Sequence, residues 1–108
     1  HRIGERAVRH LLEQGTSFDG LVAQSDQEAA GVINALFEAG RRVPEDVRVV
    51  GIDNAPFCEL TRVPLSSVSQ EFRPRGALGV DLLMSMISGE TVKSIRVAPV
   101  LHPRQSSA

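Results

Sequence analysis

The sequence predicts an α/β fold, a parallel sheet with helices on both faces. Apolar residues switch along the chain between helical spacing and short β-branched runs, in the order helix, strand, helix, strand, strand, helix, strand. That order is the signature of strands laid side by side with helices crossing between them, and the crossovers are expected to be right-handed. The punctuation agrees: Gly15, Gly40 and Gly89 each follow a helical stripe, where a left-handed residue ends a helix.

Taken in order, Ile3, Ala7, Val8, Leu11 and Leu12 recur at helical spacing before Gly15. A polar turn follows, then Leu21-Val22-Ala23, too short for a helix and bounded by turn residues, hence a buried strand. Ser25-Asp26-Gln27-Glu28 matches a capping box, with a serine hydroxyl at N-cap and a glutamate three residues on. Ala29, Val32, Ile33, Leu36 and Phe37 form the next helical stripe, up to Gly40. After a turn at Val43-Pro44-Glu45-Asp46, the β-branched run from Val47 to Ile52 reads as a strand ending at Asp53-Asn54. The stretch from Ala55 to Val63 is irregular, with one helical turn between Phe57 and Leu60, and a third strand runs from Leu65 to Ser69. Pro74 suits a helix's first turn, where its missing N–H is not needed, and Ala77, Leu78, Val80, Leu82, Leu83, Met84, Met86 and Ile87 carry that helix to Gly89. Residues 95–101 read as the last strand, followed by a polar tail.

With 108 residues the chain is one domain's worth at most, burying about two-thirds of its unfolded surface. Its 42% hydrophobic and 23% charged residues place it with globular proteins rather than disordered ones. Twelve basic against thirteen acidic residues argue against a nucleic-acid-binding module, which needs clustered Lys and Arg to neutralise phosphates. Arg41-Arg42 and Arg73-Pro74-Arg75 are read as solvated faces. The single cysteine, Cys58, cannot close an internal disulfide, and no Cys/His spacing suggests zinc. No apolar run approaches the ~20 residues that span a bilayer, and no signal peptide is visible. Because His1 stands directly before a helical pattern, further chain is expected upstream.

No catalytic motif is present: neither GxSxG, nor a phosphate loop, nor GxGxxG, nor HExxH. No metal, cofactor or catalytic residue is expected. A Ser25–His102–Asp53 triad can be written down, but no motif supports it. In parallel α/β sheets ligands bind outside the carboxyl ends of strands, which singles out Gln24-Ser25, Asp53-Asn54 and residues 69–72 as one rim. Asp53 has two readings: a carboxylate accepting ligand hydroxyl or N–H donors, or a residue that caps its own turn. Ser25 is either a ligand contact or simply the helix cap, and Phe72 either stacks on a ligand ring or staples the following helix.

Several of these segments resemble the lactose-repressor/galactose-repressor (LacI/GalR) family of bacterial transcription regulators. The run from Phe18 to Gly31 is similar to the family's strand–Asn-Asp–helix segment, and residues 38–54 match "EAGxRVPEDVxVVGxDx". Pro64-Leu65-Ser66-Ser67-Val68-Ser69-Gln70 looks like its "PPLTTVxQ" segment, and Gly76 with Leu82-Leu83 like its next helix. The resemblance implies an effector-binding domain of the type I periplasmic-binding-protein kind, in which two α/β subdomains close around a sugar-like or nucleobase-like molecule. Carried over by motif, the effector contacts are Ser25, Asp53 and Phe72, with Ser25 standing where asparagine is commonest and Asn54 where a second aspartate is common. The helix after Ser25, near Ala30, and the loop at Arg62-Val63 resemble dimer-interface elements. The resemblance further implies that residues 1–70 belong to the C-terminal subdomain. Residues 71–90 then form a helix that packs on an N-terminal subdomain absent here, and residues 91–108 a return strand and tail. It implies an incomplete effector domain of a cytoplasmic, homodimeric repressor that reaches operator DNA only through a domain not in this chain, with a periplasmic sugar-binding transport protein as the competing reading.

Overall fold

The computed structural model describes residues 2–108. In chain order it contains α1 (Arg2–Glu13), β1 (Gly20–Val22), α2 (Asp26–Glu38), β2 (Arg48–Ile52), a 3₁₀ turn (Pro56–Glu59), β3 (Ser66–Ser69), α3 (Phe72–Ile87), β4 (Val100–His102) and a second 3₁₀ turn (Gln105–Ser107). The strands lie in the order β1-β2-β3-β4. Leu21 pairs with Val49 and Gly51 with Ser67 in the parallel ladders.

Local chemistry sets the helix ends. The Ser25 hydroxyl accepts the Glu28 N–H at 3.2 Å, the expected half of a capping box. All three helices close alike, on a left-handed glycine with the next N–H reaching back five residues: Thr16 to Leu11, Arg41 to Leu36 and Glu90 to Ser85.

The core lies where α2 packs between α1 and the sheet. Ile33, Leu36, Val47, Val49 and Leu65 are buried there, together with Val8 from α1. Burying each larger aliphatic side chain stabilises the fold by about 1.5–3 kcal/mol. Gly4 lets α1 touch α2, because a Cβ there would overlap the carbonyl of Glu28. Arg9 ties the same two helices at their far ends, 2.9 Å from Glu38.

The α/β class and the three parallel strands are as expected, but β1 is not the buried strand expected: it is the sheet's edge, with Val22 exposed, and two features of the last segment differ as well. Residues 95–101 do not form one strand; only Val100–His102 pairs, and it runs antiparallel to β3. A strand exists only where a neighbouring ladder satisfies its amides. Residues 95–97 and Pro99 instead border a cavity against α3, and Pro99 has no N–H to offer.

No residue of α3 is fully buried. Leu78 and Leu82 are half-buried toward the return segment, while Val80, Leu83, Met84, Met86 and Ile87 are exposed. The exposed apolar stripe, Met86 included, therefore lies beside Leu78 and Leu82 rather than through them. The molecule measures 59 × 27 × 20 Å, and its radius of gyration of 17.9 Å exceeds the roughly 13 Å of a compact chain this long.

Candidate functional site

The carboxyl ends of β1 and β2 open into a cavity of about 290 Å³ lined by Ser25, Asp26, Gln27, Asp53, Ala55 and Phe57. Its shape comes from the backbone after β2. Asp53 and Asn54 both adopt positive φ, 108° and 55°, and Glu71 after β3 does the same at 55°. These three are the left-handed non-glycine residues among those described, and all sit on this rim. Such conformations persist only where surrounding structure enforces them.

The enforcing contacts are polar. Asp53 N–H donates to the Val68 carbonyl at 2.8 Å, Asn54 N–H to the Ser67 hydroxyl at 2.9 Å, and Ala55 N–H to Asp26 Oδ2 at 2.6 Å. The Ser67 hydroxyl donates to Asp26 Oδ1 at 2.5 Å. Asp26 is only 2% exposed, and a Cβ at Gly51 beneath it would overlap Oδ1. From the other side Arg104 donates to the Leu65 carbonyl at 2.8 Å and to Asn54 Oδ1 at 2.9 Å. Asp53 itself is exposed, and its Oδ1 receives Gln70 Nε2 at 2.9 Å.

Cys58 lies under this floor. Burial, then a hydrogen bond to the neighbouring Asp26 carboxylate, push its thiol up to about 11, so it stays protonated and unreactive. Among the described residues no group of three His, Cys, Asp or Glu side chains gathers to hold a metal. His102 does not line the cavity, and among the described residues no hydrogen bond joins it to Ser25 or Asp53.

The structure thus places two of the residues singled out from sequence, Ser25 and Asp53, in one cavity. Phe72 lies outside its lining, 60% exposed at the start of α3. Asp26 and Phe57 are cavity residues that the sequence reading did not select. The signal for Asp26 was Gly51, a glycine inside a β-branched strand, which marks a close approach by another group. Of the surface residues singled out, Ala30 is half-buried, Arg62 is exposed with its guanidinium 5.1 Å from the Phe37 ring centroid, and the Val63 side chain is buried at 7% exposure.

A shallow cavity with an exposed carboxylate, an N-cap hydroxyl and one aromatic edge can hold a small polyhydroxylated molecule through hydrogen bonds. It has no positioned nucleophile–base pair.

Comparison with known proteins bears on this geometry. Residues 1–107 match the periplasmic binding protein-like domain. The chain is 36% identical over 99 residues to the HTH-type transcriptional regulator CelR of Thermobifida fusca, covering 92% of this chain and 29% of that protein. It superposes on the lac repressor dimer bound to operator and the anti-inducer ONPF with a TM-score of 0.88 and 30% identity, covering 96% of this chain and 32% of the other. It also superposes on the CelR–cellobiose complex with a TM-score of 0.82 and 36% identity, covering 95% of this chain and 32% of the other. The chain therefore spans less than a third of the length of these relatives.

Proposed function

The chain belongs to the periplasmic binding protein-like family and, within it, to the LacI/GalR regulators, and on that footing we propose that it is part of the effector-sensing half of a transcriptional repressor. The effector is a small sugar-like molecule seated at the rim where Ser25 and Asp53 meet. The observation that carries the reading is this rim: a strained Asp53-Asn54 turn facing a helix N-terminus across a cavity, at the carboxyl ends of parallel strands. Phe72, at the start of α3, reaches the effector from the neighbouring wall.

The protein is not an enzyme in this reading; it converts binding into a change of shape. An effector that touches two subdomains favours their closed arrangement by its differential affinity for the two states. Closure changes how a homodimer presents two DNA-binding heads, and hence the half-site spacing they fit. Residues 1–70 supply one wall of the pocket. Residues 71–90 pack on a second subdomain, a role supported by the exposed apolar stripe of α3. Residues 91–108 return the chain to the sheet. The dimer surface includes the side of α2 near Ala30 and the loop at Arg62, with Val63 anchoring that loop from inside the core. The protein works in the bacterial cytoplasm, where its operator lies; no helix among the described residues is long and apolar enough to cross a membrane. The relatives named above are regulators, which favours this reading over a transport protein.

The test is calorimetric titration of the protein carrying this chain with cellobiose, in the parent and in Asp53→Ala, alongside operator affinity measured with and without the sugar. Binding weakened about tenfold or more by Asp53→Ala, the loss of a charged hydrogen-bonding partner, together with sugar-dependent operator affinity, is the expected result. Operator affinity insensitive to every sugar that binds defeats the regulator reading.

A further inference from the structure

We infer that Asp26 is the positioning residue of this site: it holds the Asp53-Asn54 turn in the shape that aims Asp53 at the effector. The inference rests on the reading of the rim as an effector pocket.

Both backbone amides that follow Asp53 end on this one carboxylate. Ala55 N–H donates directly to Oδ2 at 2.6 Å. Asn54 N–H donates to the Ser67 hydroxyl at 2.9 Å, and that hydroxyl in turn donates a hydrogen bond to Oδ1 at 2.5 Å. These contacts fall where Asp53 and Asn54 hold φ of 108° and 55°. Without them the turn keeps only the Asp53 N–H on the Val68 carbonyl and the side-chain contacts of Arg104 and Gln70, and non-glycine residues leave the left-handed region as constraints are lost.

The chemistry calls for a carboxylate. The groups facing Asp26 are all donors, the Ala55 N–H, the Ser67 O–H and the Cys58 S–H, and only a carboxylate offers an acceptor oxygen on both sides. Asparagine would offer one oxygen and one NH₂. If that NH₂ faced Ser67, the hydroxyl would become a double acceptor with its own proton unplaced; if it faced Ala55, donor would meet donor. The surroundings also leave room for this group: Gly51 carries no Cβ where Oδ1 sits, and its strand partner Ser67 presents the hydroxyl from the same face. Asp26 is the first residue of α2, directly after Ser25, so one buried side chain locks the helix cap and the Asp53 turn into one unit. Sites whose contact residues are held in this way gain affinity from preorganisation.

The test uses the intact protein carrying this chain and two readouts: amide hydrogen exchange at Asn54 and Ala55, and cellobiose affinity by calorimetry. The variants are Asp26→Ala, Asp26→Asn and Ser67→Ala, with Ile33→Val as a control that loosens the core away from the turn. In Asp26→Ala, exchange at Ala55 should rise about tenfold or more above the control, as expected for loss of a charge-assisted hydrogen bond, and cellobiose should bind about tenfold more weakly or worse. Asp26→Asn should fall between parent and Asp26→Ala in both readouts. Ser67→Ala should speed exchange at Asn54 while leaving Ala55 near the parent, and it decides the matter if Asp26→Ala fails to fold. Exchange at both amides that matches Ile33→Val in every variant overturns the inference. Faster exchange with unchanged cellobiose affinity overturns it as well. A parent protein that binds no cellobiose defeats the sugar reading instead, and the exchange data then still decide whether Asp26 holds the turn.

Discussion

Replacing Gly51 with alanine should be among the most damaging single-methyl changes available to this chain. The new Cβ would overlap Asp26 Oδ1 and lie 3.1 Å from Leu65 Cδ2 and 3.2 Å from Asp26 Cα. Strand β2 cannot yield, because β1 and β3 flank it on both sides. The carboxylate must therefore move, although the Ser67 hydroxyl and Ala55 N–H hold it in place. Overpacking of this kind costs about 1–3 kcal/mol, and loss of one of two hydrogen bonds to a charged group adds roughly 1.5–3 kcal/mol. The smaller unfolded-state entropy of alanine offsets about 0.4–1 kcal/mol. The net is a destabilisation of about 3 kcal/mol. At about 4–8 °C per kcal/mol for a domain near this size, Tm should fall by roughly 12–24 °C. The control is Gly20→Ala in β1, where a Cβ meets nothing within 4 Å, and it should leave Tm nearly unchanged. The assay is thermal unfolding followed by circular dichroism, with both variants beside the parent. A Gly51→Ala protein melting within about 3 °C of the parent, a shift worth under 1 kcal/mol, or a Gly20→Ala protein just as damaged, would refute the close-approach account of β2.

Other expectations follow from single contacts. Ser106→Ala should destabilise by about 2 kcal/mol or more in urea titrations, because this buried hydroxyl accepts Ser66 N–H and donates to the Val49 carbonyl, and both groups would be left unpaired. Cys58 should resist iodoacetamide in the native protein and react only once denaturant exposes it, since it is buried with its thiol held near 11; native-state labelling at the rate of a free thiol would contradict the packing described. The Asp46 carboxyl is lowered to about 2 by the Arg42 side-chain hydrogen bonds and then by the Arg42 backbone N–H. A depressed folded value stabilises above the ordinary 3.8 and is lost as pH falls through about 2. The Tm difference between parent and Asp46→Asn should accordingly be present at pH 5 and above, and shrink between about pH 4 and pH 2. A difference independent of pH would rule out this linkage.

The parts of the fold that local chemistry dictates were legible in the chain. Gly15, Gly40 and Gly89 end helices because only residues at ease with positive φ close them so cheaply, and Ser25 caps α2 because its hydroxyl lies within reach of Glu28 N–H. Of the parallel trio, β2 follows from its β-branched run, and β1 and β3 from short segments bounded by turn residues. What could not be read was non-local. Ile95 and Val97 alternate as a strand should, yet a strand needs a partner ladder that no local pattern supplies. Asp26 looks like any acidic residue in a first helical turn; its role depends on Ala55 and Ser67, 29 and 41 residues further on. The short turn around Phe57 was legible, but that its ring would line the same cavity as Ser25 was not, because β1 and α2 lie far away in sequence.

The stitching of residues 104–107 into the sheet has a consequence for how the molecule assembles. Ser106 fills hydrogen bonds at Val49 and Ser66, Ser107 meets the Ser66 hydroxyl, and Arg104 clasps Leu65 and Asn54, all from 39 to 57 residues downstream. During synthesis α1, α2, β1 and β2 can emerge and collapse on one another while the β2–β3 seam still lacks these partners. Contacts this distant in sequence form late, because loop closure must precede them. The cavity-bordering turn at Asn54 is therefore among the last features to set, and a nascent chain stalled before Arg104 would carry a core without a finished cavity.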